Sequence, residues 1–234
     1  MKGLRALLCG LLLLVPCAPA YADTVTILAS QDTHIRSTNP TVASGWHRSA
    51  QVGYSSSEGI QRMLVQFDLG GVSCDATIQS ARFEMYYTLA SLGSPGMELT
   101  IHRLTQDWDE DTACWETMGA ASSPTVYASQ RVGGYGDALR WVSWDVSDLA
   151  RLWQAQPEED HGLAVQGQEW PPDNYVYFHT KEKGAEWAPR LIVEYTGALC
   201  TPTPRPTVMP TPTKQPTIPA VERSLHLPLI LRHY

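Results

Sequence analysis

The stretch Arg62-Met63-Leu64-Val65-Gln66-Phe67-Asp68-Leu69, followed after a turn by Ala81-Arg82-Phe83-Glu84-Met85-Tyr86-Tyr87, sets the fold class. Met63, Val65, Phe67 and Leu69 alternate with Arg62, Gln66 and Asp68, and Ala81, Phe83, Met85 and Tyr87 alternate with Arg82, Glu84 and Tyr86. A period of two places one set of side chains in a core and the other near water, which marks a half-buried strand. The connection carries the turn formers Gly70, Gly71, Ser73 and Asp75, so the pair reads as a hairpin. A lone hairpin is marginal in water, so more sheet must surround it.

The rest of the chain supplies that sheet. Residues 24–29 and 32–36 read as two extended pieces rich in β-branched side chains. Residues 98–104, 141–146, 162–166, 175–180 and 190–195 read as further strands. Residues 148–156 read as a short helix capped by Ser147, with Leu149, Leu152 and Trp153 on one face. Residues 37–57 and the Gly/Ser-rich region after Trp115, up to Gly136, read as loops; loops of such length in a compact domain are usually functional or mobile. Many short strands joined by Gly/Pro-rich connections, with one or two short helical turns, predict an all-β fold: an antiparallel β-sandwich, the jelly roll.

Outside that domain, Lys2 and Arg5 precede an apolar run over 7–15 and then Ala18, Ala20 and Ala22. This is the pattern of a secretory signal peptide, assigned to 1–22; the run is too short to span a bilayer. The β domain is assigned to 23–197, about 175 residues and ample for one core. Residues 198–220 are Pro/Thr-rich and read as a disordered, polyproline-like stalk, roughly 60 Å long at about 3.1 Å per residue. Residues 221–234 form a short apolar and basic tail, read as an attachment or sorting element at the cell surface. The expected location is therefore outside the cell or on its surface. Behind the signal stand Cys74, Cys114 and Cys200. Cys74 and Cys114 can pair in an oxidising compartment, or each can serve as a small buried hydrophobe.

A formal net charge of -7 gives no basic face for nucleic acid. No nucleophile elbow, zinc-protease helix, phosphate loop or dinucleotide fingerprint is present, so no enzyme is expected. Asp107, Asp109 and Asp111 open like an EF-hand loop, but Thr112 stands at the sixth position and Met118 at the twelfth, which rejects that motif. A structural calcium ion held by Asp32 and Asp109 with backbone carbonyls remains open beside a solvated acidic turn; no other cofactor is expected.

Eight tryptophans and ten tyrosines stand against three phenylalanines. Indole and phenol rings offer a flat apolar face with a polar handle, which suits the C–H faces of sugars. Trp108, Trp115, Trp144 and Trp153 lie in strand or helix patterns and are assigned to the core. Trp46, Tyr54, Tyr135, Trp170 and Trp187 lie among polar residues, and of these Trp46, Tyr54 and Trp170 are the leading stacking candidates. Arg36, Arg62, Lys181 and Lys183 are the candidates for binding a carboxylate, since charge-assisted bonds are the strong ones.

Asp32-Thr33-His34-Ile35-Arg36, then Arg62 to Leu69, Ala76-Thr77-Ile78-Gln79-Ser80-Ala81, Trp108-Asp109-Glu110-Asp111-Thr112-Ala113-Cys114-Trp115, Trp144-Asp145-Val146-Ser147, His161-Gly162-Leu163 and Pro189 to Tyr195 occur in an order and spacing that resemble the DNRLRE domain family. The resemblance covers about residues 29–196. It implies a secreted bacterial jelly-roll module, similar to a carbohydrate-binding module family that includes alginate binders. It also implies Phe67, Trp108, Trp115 and Trp153 as core, with Glu110 and Thr112 fixing a turn. The expected function is a secreted, non-catalytic module for an anionic cell-wall or matrix polysaccharide, displayed on a stalk. The alternative is a structural or adhesive surface domain with a protein partner.

Overall fold

The computed structural model describes residues 22–72, 76–91, 94–134 and 137–197. The signal, stalk and tail assignments lie outside these residues, as do Cys74, Tyr135 and Cys200. Ten strands are present: β1 (Asp23–Arg36), β2 (Ser49–Ser55), β3 (Gly59–Phe67), β4 (Thr77–Ala90), β5 (Met97–Leu104), β6 (Ser122–Val132), β7 (Arg140–Asp145), β8 (Leu163–Gln166), β9 (Asn174–His179) and β10 (Arg190–Thr196). Two short helices, α1 (Trp115–Met118) and α2 (Ser147–Ala155), and three 3-10 turns complete the elements.

Every strand pairing is antiparallel. β1, β10, β4, β9, β2 and β3 pair in that order and β3 returns to β1, closing a ring. β8, β5 and β6 extend from β3, and β7 lies beside β4. Closure leaves no free edge within the ring. β1 makes the corner. Its first half pairs with β10 and its second half with β3, with a register shift between Ala29 and Gln31. The two extended pieces expected over 24–36 are thus one strand bent at a bulge.

The alternation over 62–69 and 81–87 is that of strands, but the two do not form a hairpin. β3 pairs with β1, β2 and β8; β4 pairs with β10, β7 and β9. They face each other across the core instead, with the Phe67 and Phe83 rings 5.8 Å apart at 71°. Asp68 turns the chain out of β3, its Oδ1 accepting from Gly70 N at 2.9 Å over the 3-10 turn Leu69–Gly71. The main core holds Met63, Val65, Phe67, Phe83, Trp144 and Phe178, closed at one end by Leu149 and Trp153 of α2. A second cluster on the other face of β3 gathers Leu64 with Ile35, Leu104 and Met118. Trp108 and Trp115 are half-buried against it, whereas Trp144 and Trp153 are fully buried.

Three local expectations are corrected. Ser147 does not cap α2 but is its first residue, behind Val146. Its hydroxyl donates to Asp145 Oδ1 at 2.6 Å and accepts from Ala81 N at 2.9 Å, tying the helix to β4. The expected loop over 37–57 contains β2, a strand inside the ring. The Gly/Ser-rich region contains β6, whose hydrogen-bonded neighbour is β5; Pro124 is tolerated on such an edge because it needs no ladder donor there.

Candidate functional site

Side chains from β1, β3, β2 and β9 line a groove of about 270 Å³. The alternation that sends Ala50 and Val52 of β2 into the core sends Gln51 and Ser55 to this groove. β9 contributes Tyr175 and Tyr177 by the same rule, while Val176 and Phe178 are buried. β1 adds His34 and Arg36, and β3 adds Gln61. β2 and β9 approach closely because Gly53 has φ +122°, and a Cβ there would stand 2.3 Å from Asn174 O. Glycine is therefore required at that point.

The groove wall is rich in polar groups. Arg36 pairs with Glu58 at 2.9 Å, and Glu58 N donates to Ser55 Oγ at 3.1 Å. Gln61 Nε2 donates to the same Ser55 Oγ at 3.4 Å. His34 Nδ1, Arg36 Nε and Gln61 Oε1 have no hydrogen-bond partner among the described residues, although each atom is buried. Burial, helped by the charges of His47 and Arg36, pushes the His34 pKa down to about 3, so the imidazole is neutral at pH 7. Tyr175 and Tyr177 meet edge to face at 5.7 Å. At the rim His47 lies edge-on to His34 at 5.2 Å, and Trp46, 63% exposed, lies tilted against His47 at 5.3 Å.

The same face continues along β9. His179 stacks on Tyr86 of β4 at 5.5 Å and 7°, and Trp187 packs edge-on against Tyr86 at 4.5 Å. Trp141 of β7 completes the patch, with the Arg190 guanidinium 3.8 Å above its ring.

Of the residues singled out from sequence, the groove brings together Arg36 and, through His47, Trp46. The others lie elsewhere. Tyr54 falls on the alternate register of β2, away from Gln51 and Ser55. Arg62 is held by Glu169 in two bonds, at 2.6 and 3.0 Å, by Gly119 O at 2.5 Å, and over the Trp115 ring at 5.0 Å. Trp170 is 65% exposed in the loop between β8 and β9. Lys181 is half-buried, its Nζ between Glu110 at 2.8 Å and Glu182 at 2.7 Å.

Asp32 and Asp109 accept from different donors. Asp32 is fully buried; its Oδ2 accepts from Lys181 N at 2.8 Å, its backbone N donates to Glu110 Oε2 at 3.2 Å, and its Oδ1 lacks a partner. Asp109 is exposed and fixes its own turn, Oδ1 accepting from Asp111 N at 2.9 Å. Among the described residues, no group of three His, Cys, Asp or Glu is placed to hold a metal ion. The Lys181 ammonium sits where the carboxylates concentrate. Cys114 is buried with its Sγ 3.5 Å from Thr117 Oγ1; its pairing with Cys74 falls outside the described residues. No described helix is long and apolar enough to cross a membrane.

Tyr175, Tyr177 and His179 did not stand out from sequence as ligand candidates. Their common signal was present: three rings at every second position of a strand share one face.

Comparison with protein families matches residues 23–195 to carbohydrate-binding module family 96. No curated protein matches. Among solved structures, a chain from the infectious bursal disease virus Gx strain aligns at 8% identity and a TM-score of 0.17, over 85% of this chain and 42% of the other, a likeness too slight to bear on fold or function.

Proposed function

Since the chain belongs to carbohydrate-binding module family 96, we propose that it binds a polysaccharide chain on the outer face of β2 and β9 without catalysing a reaction on it. The observation that carries this reading is the groove itself. Sugar hydroxyls are donors and acceptors at once, and the wall offers both kinds: neutral imidazole, amides, phenols and a guanidinium. Tyr175, Tyr177 and the Trp46 rim add ring surface for the C–H faces of a pyranose.

The finer parts of the proposal are a secreted module for an anionic cell-wall or matrix polysaccharide, displayed on the Pro/Thr-rich stalk. The signal-like residues 1–22 and the composition of 198–220 support them. We also read the ring as a jelly-roll sandwich, supported by the facing of Phe67 and Phe83 across one core. The DNRLRE-like motifs over about 29–196 and the family match over 23–195 describe the same domain in this reading.

Affinity electrophoresis of the full chain through gels containing different polysaccharides tests the function. Retardation by at least one glycan, reduced in Gln51→Ala and in Tyr177→Ala, is expected. Retardation by none abandons the reading.

A further inference from the structure

Among the described residues the basic side chains are almost all partnered, and the two exceptions belong to neighbouring segments. Eight of the described Arg and Lys side chains have an acidic partner at ion-pair distance. Arg131 donates to the Pro95 and Gly96 carbonyls. Among the described Arg and Lys side chains, only those of Arg48 and Lys183 have neither an ion pair nor a hydrogen bond. They come from opposite ends of the chain to one place. Arg48 is exposed just before β2, where Ser49 pairs with His179. Thr180 N donates to Arg48 O at 3.4 Å, and Lys183 N donates back to Thr180 O at 3.1 Å, which folds the 3-10 turn Lys181–Lys183 over the end of β9.

His179 lies between them. Its Nδ1 is buried, with no hydrogen-bond partner by geometry among the described residues. Its ring stacks on Tyr86 and lies 5.6 Å from the half-buried Trp187. Burial first, then the Lys183 and Arg48 charges, hold the His179 pKa below its ordinary value, so both cations act on the ring. Lys181, next along the turn, is already occupied by Glu110 and Glu182. Glu186 lies over Gly184 and forms no ion pair with Lys183. Two unpaired cations beside aromatic rings thus stand out on a protein of net charge -7.

We propose that Arg48 and Lys183, with Trp187 and Tyr86 as the adjoining ring surface, form an anion-binding subsite for a carboxylate or sulfate group carried on a sugar ring. It rests on the glycan-binding reading above and extends it. The groove residues Tyr175 and Tyr177 precede His179 at two-residue steps on one face of β9. Successive steps of that kind are about 7 Å apart, so one polymer lying along the strand reaches both places. Arg48 supplies a planar fork that matches a carboxylate or sulfate edge, and Lys183 supplies a point charge. Uniform attraction does not explain such binding, because the whole chain repels a polyanion.

The test is retention of the full chain in gels containing polygalacturonate, dextran sulfate or a neutral β-glucan. Wild type, Arg48→Gln, Lys183→Gln and Arg48→Lys are compared, with thermal melts as a check on folding. The expected result is retention by an anionic polymer that weakens about tenfold in each Gln variant, as loss of a charge-assisted bond implies, and is partly kept in Arg48→Lys. The polymer retained tells carboxylate from sulfate. Equal retention of wild type and Gln variants by the anionic polymers overturns the subsite. Retention by the neutral glucan alone also overturns it, and leaves the glycan-binding reading standing. Retention by none of the three overturns both.

Discussion

Replacing Asp32 by Asn is predicted to abolish a pH dependence of stability between pH 6.5 and 8. Asp32 is fully buried, and desolvation pushes its pKa up to about 8 against the Lys181 N–H bond that opposes the shift. The negative charge of the neighbouring Glu182 carboxylate adds to the upward shift. The folded pKa is above the unfolded value of 3.8, so the stabilisation is full below pH 3.8 and is lost as pH rises to about 8. Three other groups overlap part of that window, among them His179, whose lowered pKa acts in the same sense as that of His34 below pH 6.5. Asp160, raised by burial to about 6, acts in the same sense up to pH 6. His34, lowered to about 3, acts in the opposite sense below pH 6.5, because its buried neutral form is lost on protonation. Above pH 6.5 the Asp32 contribution stands alone. One proton is worth about 1.4 kcal/mol per pH unit, so the loss from pH 6.5 to 8 is about 2 kcal/mol. For a domain of this size that is about 4–8 °C in Tm. Tryptophan-fluorescence melts of wild type and Asp32→Asn across pH 5–9 read it directly. Wild type should fall across the window while the Asn variant stays level. A level wild type, or a variant that keeps the fall, refutes the protonated Asp32.

Other substitutions separate structure from binding. Arg62→Ala removes the Glu169 pair, the Gly119 bond and the Trp115 contact; chemical denaturation should show a loss of about 1–3 kcal/mol, with glycan retention unchanged at temperatures where it stays folded. Phe83→Ala empties the centre of the core and should cost about 3–5 kcal/mol in the same assay. Trp46→Ala should weaken glycan retention and Trp170→Ala should not, because only Trp46 packs against a groove residue; both rings are exposed, so neither change should move Tm by more than a degree or two.

The strands legible in the sequence were those whose apolar side chains alternate with charged or amide neighbours, as in Met63-Val65-Phe67 and Ala81-Phe83-Met85-Tyr87. Their pairing was not legible. Alternation reports which face is buried, and two strands facing one core give the same pattern as two strands side by side. β2 escaped because only Ala50 and Val52 mark its buried face, while Gly53 and the surrounding serines look like a turn; a strand closed on both edges can tolerate such small residues. β6 escaped because Val132 is its one buried residue and Pro124 interrupts it. At the candidate site, Arg36 and Trp46 were found by residue type. Arg62 and Lys181 were chosen on the same grounds, yet their charges are spent on Glu169 and Glu110, which lie far away in sequence, and for Lys181 also on its neighbour Glu182. Arg48 and Lys183 are distinguished only by lacking such partners, and only the folded chain shows that.

The central claim is that a glycan lies along the outer face of β2 and β9. Mapping side-chain and amide NMR shifts of the full chain during titration with an oligosaccharide of a retained polymer tests it most directly. The account predicts shifts clustered at His34, Gln51, Tyr175, Tyr177 and His179. Shifts confined to β5 and β6, or to the loop around Trp170, would contradict it.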